Sequence, residues 1–147
     1  MATYLIHLSR RFKGSFKVVY KAAGLLESIE NITNIDTPED LARSLIRIPV
    51  HETGIEHLRQ QGTKVQKAPE DLSFDRFWSK YNYKVGKIQR AKKLWENLPE
   101  VDKIDALNKI DRYNAWLSQR TIEKAYPETY LSQRRWENDF QGVGSLF

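Results

Sequence analysis

The first third of the chain alternates between apolar and polar positions. In "TYLIHLS" Tyr4, Ile6 and Leu8 oppose Leu5 and His7, and in "SFKVVYK" Phe16, Val18 and Tyr20 oppose Lys17, Val19 and Lys21. A period of two marks a half-buried strand, because successive side chains on a pleated backbone point to opposite faces. "GLLESIENI" follows Ala22, Ala23 and Gly24, which read as a hairpin turn, so the three segments predict a small antiparallel β-meander.

The period then lengthens. "DTPEDLARSLIRI" has Asp36 or Thr37 as N-cap, Pro38 in the first turn, Glu39 and Asp40 at the positive end of the helix, and an apolar stripe Leu41, Leu45, Ile46 that ends before Pro49. "TGIEHLRQQG" predicts a second short helix with a capping box from Thr53 to Glu56 and a terminal Gly62, and "TKVQK" a further strand. Residues 1–67 read as one α+β subdomain, and residues 68–72 as a linker.

Beyond Ser73 the pattern is helical. Phe74, Phe77, Trp78 and Tyr81 fall at i, i+3, i+4 and i+7, and Ile88, Ala91, Leu94, Trp95 and Leu98 form the stripe of a second helix. After Pro99, the residues Val101, Ile104, Leu107, Ile110, Tyr113 and Leu117 predict one long helix, and Pro127 opens a last short one that carries Tyr130, Leu131 and Trp136. The fold class expected is α+β: a small antiparallel meander with two short helices, then a small all-α bundle over residues 73–140, with residues 141–147 as a tail.

Composition narrows the setting. A chain of 147 residues can bury a core without staples, and the absence of Cys removes disulfides and thiolate metal sites. The apolar patch near the N-terminus is about five residues, too short for a signal or a membrane span, so the expected location is the cytoplasm, with no membrane partner. Residues 1–71 carry ten Lys or Arg against nine Asp or Glu, whereas residues 72–147 carry fourteen against ten, so most of the net charge of +5 lies in the second half.

Catalytic chemistry is hard to find. His51, Glu52 and His57 invite comparison with a zinc-binding His-Glu-x-x-His pattern, but histidines six apart lie about 120° from one another on a helix and cannot share a metal. Gly-x-Ser-x-Gly, Walker A and Gly-x-Gly-x-x-Gly patterns are absent, and "GVGS" near residue 144 has no helix to open. The acid pair Asp102 and Asp105 sits where carboxylates complement a helix dipole, and Glu137 with Asp139 reads as solvated. The expectation is a non-enzyme without metal or cofactor.

One segment departs from the rest. Between Arg76 and Lys93 there are seven Lys or Arg and no Asp or Glu. Every other predicted helix has an acid near its start, worth about 0.3–1 kcal/mol when exposed. The helix near residues 86–98 instead opens on Lys84, Gly86 as N-cap, Lys87 and Arg90. Free amides and adjacent cations at a helix N-terminus can hold a phosphate, and glycine admits close approach. On the wheel Gln89, Arg90, Lys93, Glu96 and Asn97 share the outward side, which is either a solvated face or a binding one. Trp78 and Trp95 lie on apolar stripes and read as core. Arg134 and Arg135 beside Trp136 are either a second phosphate contact or arginines packed on an aromatic ring. The candidate nucleic-acid-binding set is thus Lys84, Gly86, Lys87, Arg90, Lys93, Arg134 and Arg135.

"FDRFWSKYNYKVGKIQRAKKLWENL" followed by "YPETYLSQRRWEND" resembles a short C-terminal module of phage and prophage replication proteins, often found behind a helix-turn-helix or primosome-type domain. The resemblance falls on Phe74, Phe77, Trp78, Tyr81, Lys84, Val85, Gly86, Lys87, Ala91, Trp95, Tyr130, Leu131, Gln133, Arg134, Arg135 and Trp136. Where the family usually has Tyr-Pro-Arg-Lys, this chain reads Tyr81, Asn82, Tyr83, Lys84, losing one basic residue. The first half does not resemble the helix-turn-helix domain. The resemblance implies a phage or mobile-element context, hence the cytoplasm of a bacterial host cell, and a role in DNA replication. The expected partner is nucleic acid, with DNA first; the alternative is a protein–protein adaptor that docks to a replication or phage component.

Overall fold

The computed structural model describes residues 1–138 and divides the chain into two compact units, Met1–Ala68 and one that begins at Pro69. Asp139 and the tail expected over residues 141–147 lie outside the described residues.

In the first unit β1 (Ala2–His7), β2 (Gly14–Tyr20) and β3 (Leu26–Thr33) form the meander, followed by α1 (Pro38–Leu45), α2 (Gly54–Gln60) and β4 (Lys64–Lys67). The antiparallel sheet has the order β3-β2-β1-β4, because β4 returns to pair with β1. The pairs Tyr4 with Val18 and Ile6 with Phe16 put the even-numbered residues of both central strands on one face. That face forms the core with Tyr20, Ile48, Ile55 and Leu58. Gly24 turns the β2–β3 hairpin at φ +95°, beneath the ring of His51.

Two local expectations are corrected here. The inward face of α1 runs through Leu41, Ser44 and Ile48, so Leu45 and Ile46 are exposed, Ile46 at 85%. Ile46 still has helical φ and ψ, −65° and −20°, but five residues from Leu41 it lies about 140° round the helix, on the outer side. Thr53 forms no capping box: it already has helical φ and ψ, and its hydroxyl meets His51 Nδ1 at 3.1 Å instead. Thr37 does cap α1, accepting from the Asp40 amide at 3.3 Å.

Tyr4 donates to Glu52 at 2.6 Å and Tyr20 to the Pro49 carbonyl at 2.9 Å. Burial pushes both phenols up to about 12, and the Glu52 carboxylate adds to the effect. A phenol whose folded value is raised contributes stability that is full below the unfolded value of about 10 and is lost as pH rises through the folded one. The first unit is therefore expected to weaken between pH 10 and 12, with tyrosinate absorbance lagging that of free tyrosine. Tyr4 and Tyr20 ionising at the free-tyrosine value in the folded protein would contradict this.

The second unit contains α3 (Phe74–Tyr81), α4 (Ile88–Glu96), α5 (Glu100–Asn108), α6 (Ile110–Ser118), α7 (Pro127–Ser132) and a 3-10 turn at Arg135–Glu137. Ser73 caps α3, accepting from the Arg76 amide at 3.2 Å, and Asn82 ends it in the left-handed region at φ +52°. The single helix expected after Pro99 is two helices, broken at Lys109, where φ is −99° and ψ is 2°. Both halves keep their apolar residues inward, so the stripe alone does not reveal the break: Ile104, Leu107, Ile110 and Tyr113 are all buried.

This core is largely aromatic. Phe77 stacks on Trp95 at 4.8 Å, and Tyr81, Tyr113 and Tyr130 pack ring against ring around them. Buried tyrosine hydroxyls and indole N–H groups need partners, and backbone supplies them for Tyr81, Tyr113, Tyr130 and Trp95, while among the described residues the Trp136 indole N–H has none. Tyr81 donates to the Ala125 carbonyl at 2.6 Å, Tyr130 to the Ala106 carbonyl at 2.8 Å and Trp95 to the Leu72 carbonyl at 2.9 Å, while Tyr113 accepts from the Ala125 amide at 3.0 Å. The irregular segment before α7 is thereby tied to the core. Trp78 is only partly buried, and Ile88, expected on the α4 stripe, is exposed.

Candidate nucleic-acid interface

The start of α4 is built by a glycine and a distant carboxylate. Gly86 has φ +102°, a conformation that L side chains rarely adopt, and the cap is Lys87, one residue later than the sequence suggests, with no side-chain bond. Among the described helices α4 is the one without an acid in its own first turn.

The missing acid comes from elsewhere. Glu128, in the first turn of α7, accepts a hydrogen bond from the Lys87 amide at 3.2 Å. Its other oxygen lies so close to Gly86 that a Cβ there would be 2.6 Å away. Glu128 is buried and stands at the N-termini of two helices at once, where a carboxylate complements both dipoles. The niche that Gly86 was expected to open to a phosphate is filled by the protein's own carboxylate, which corrects that residue's role.

Arg134 is also engaged. Its guanidinium holds Asp102 at 2.9 and 3.2 Å and Glu137 at 2.6 and 2.8 Å, and stacks 5.1 Å above Trp136. The Asp102 carboxylate, and then Glu137, hold it charged well beyond the usual arginine range. Of the two sequence readings, packing on the aromatic ring describes Arg134. It joins the start of α5 to the 3-10 turn, and Asp102 of the acid pair is its partner. Arg135 is partly buried and donates to Gln133 at 3.1 Å.

Four of the candidates remain together on the surface. Lys84, Lys87, Arg90 and Lys93 are exposed, and among the described residues none of their side chains forms an ion pair. Elsewhere in this unit Lys80 meets Asp111 at 3.9 Å and Arg134 has two carboxylates. Gln89, Glu96 and Asn97 share the exposed side of α4 with the cations. Beside them Val85, Ile88 and Tyr126 are also exposed, and Tyr126 stacks on Tyr83 at 5.9 Å.

Residues 69–134 match the family model described as the Legionella vir region protein LvrA C-terminal domain. The second unit is thus similar to a C-terminal module of a mobile-element-associated protein. The match spans α3 through α7, and so includes both the Gly86 niche and its Glu128. It does not extend to the replication role that the resemblance implied. Neither the curated proteins nor the solved structures searched yield a match.

His51 and His57 do not converge. His51 contacts Thr53 and the Ala23 carbonyl, while His57 contacts Gln61. Among the described residues no group of three His, Asp or Glu side chains is placed to hold a metal ion, and no helix is long and apolar enough to cross a membrane.

Proposed function

We propose that the chain is a non-enzymatic nucleic-acid-binding accessory protein of a mobile element, acting in replication or a related DNA transaction. Its helical unit contacts phosphates through Lys84, Lys87, Arg90 and Lys93. The observation that supports this reading is the run of exposed cations from Lys84 to Lys93 that form no ion pair among the described residues, while Arg134 and the helix N-terminus itself are satisfied internally. Unpaired lysines and arginines held side by side repel one another, and a polyanion removes that repulsion while releasing its own counterions.

Four phosphate contacts predict a slope of log K against log salt of about −3.6 for duplex DNA and about −2.8 for a single strand. In the variant Lys87→Glu, Arg90→Glu, Lys93→Glu the slope is expected to fall to that of about one contact from this face, with binding lost at moderate salt. All three side chains are exposed, so the variant should keep its helical circular dichroism. A folded triple variant with the parent's affinity and slope would overturn the assignment.

The exposed Val85, Ile88 and Tyr126 favour a second reading, an adaptor whose partner presents apolar residues within an acidic rim. That reading requires no shift of any DNA at about 50 mM salt, together with a stoichiometric protein partner that Val85→Ser, Ile88→Ser releases.

A further inference from the structure

We infer that the first unit carries its own binding surface for single-stranded nucleic acid, at the β1–β2 loop. The charge count over residues 1–71, ten basic against nine acidic, conceals it, because the fold separates what the count averages. Two open cavities adjoin at this end of the sheet. One, of about 520 Å³, is lined by Arg10, Arg47, Thr63 and Lys64 among others; the second, of about 200 Å³, by Arg11, Phe12, Asp40 and Arg43. Leu8, Ser9 and Arg47 line both, so Arg47 stands on the wall between them.

Five cations thus meet one carboxylate, and that carboxylate is already countered. Asp40 lies 3.9 Å from Arg11 and 4.0 Å from Arg43. Among the described residues Arg10 and Lys64 have no acidic partner. At the far end of β2, about 20 Å away for a strand of this length, the pocket beneath the Ala22–Gly24 turn has Glu52 and Glu56 against Arg59. The pocket linings at the two ends of β2 thus differ in charge.

Arg47 gives the surface a fixed element. It donates to the Leu8 carbonyl at 2.6 Å and to Thr63 Oγ1 at 3.3 Å, which holds the guanidinium plane in place. A guanidinium has five N–H donors, so three remain for an incoming oxygen anion. A strand of phosphates supplies repeated anions that can occupy both cavities in succession, on either side of Arg47. Phe12 is partly exposed between Arg11 and Lys13, with the Arg11 guanidinium 5.1 Å over its ring, and offers a face on which an unpaired base can stack. Concave pockets and a stacking ring suit splayed nucleotides, which a duplex does not present.

This surface is independent of the α4 face, and the test separates the two. Anisotropy of a labelled single-stranded oligothymidylate, and separately of a labelled DNA duplex, is measured against salt with the full chain, in four forms: parent, Arg10→Gln with Arg43→Gln, the α4 triple reversal, and both sets combined. Among the described residues neither the Arg10 nor the Arg43 side chain bonds the backbone, so the Gln pair should fold; its thermal melt verifies this. Loss of two contacts is expected to lower the slope by about 1.4 and the affinity by about 25-fold near 0.1 M salt. The same loss is expected in the α4-reversed background. A folded Gln pair with unchanged single-strand affinity and slope, or one that loses duplex binding alone, would overturn the inference. An α4 reversal that leaves both single-strand and duplex binding unchanged, beside a Gln pair weakened on the single strand, would remove the α4 reading and leave this one standing.

Discussion

Trp95→Ala is expected to lower the unfolding free energy by about 3–5 kcal/mol, as removal of a buried tryptophan does. A domain of this size has about 5–15 kcal/mol in total, so the loss is severe. Trp95 is 1% exposed and stacks on Phe77 with the rings 19° from parallel, at the place where α3 and α4 meet. Its truncation leaves a cavity among rigid rings that cannot close by rotamer changes, and leaves the Leu72 carbonyl without its indole donor. Tryptophan fluorescence reads this directly, because all four tryptophans lie in the second unit and three remain in the variant. A denaturation midpoint shift equivalent to less than about 1 kcal/mol would mean that the aromatic cluster is not what holds the helices together. Trp95→Phe, which keeps a ring but not the N–H, should fall between.

Gly86→Ala is expected to cost about 3 kcal/mol, by two routes that can be separated. A left-handed backbone costs an L residue about 1–2 kcal/mol. The remainder comes from displacing Glu128, whose oxygens would lie 2.6 and 2.8 Å from the new methyl group, and so from losing its bond to the Lys87 amide. Glu128→Ala alone should cost about 1–2 kcal/mol through the lost acceptor and the lost charge at two helix starts. In the double variant the clash no longer exists, so the sum of the single effects should exceed the combined effect by about 1 kcal/mol or more. Strict additivity in denaturant melts would show that backbone conformation alone demands the glycine.

Local pattern carried most of the architecture. The alternation at Tyr4, Ile6, Phe16 and Val18 matches the core face of the sheet, and the stripe through Phe74, Phe77 and Tyr81 matches the buried side of α3. These are legible because a strand repeats every two residues and a helix every 3.6, so a window of a dozen residues contains the whole signal. Errors cluster where a helix ends. Ile46 caps α1 on its outer side and Ile88 opens α4, and both are exposed although the apolar pattern places each on a stripe. The break at Lys109 leaves no local mark, since Ile110 and Tyr113 are apolar and buried with or without it.

The sequence by itself determined the order of elements apart from the break at Lys109, a cap at Asp36 or Thr37, a helix beginning at Ser73, the aromatic stripes and the absence of an acid at the start of α4. Tertiary structure decided which charges are available to a partner. Glu128 reaches Lys87 across 41 positions in the chain, and Asp102 reaches Arg134 across 32. Folding also collects Arg10, Arg11, Arg43, Arg47 and Lys64 from three separate stretches around one loop. A helix or strand is specified by neighbours within a turn or two, but a charge is neutralised by whatever carboxylate the packing of other elements brings within about 4 Å. That distance is fixed only when the cores close.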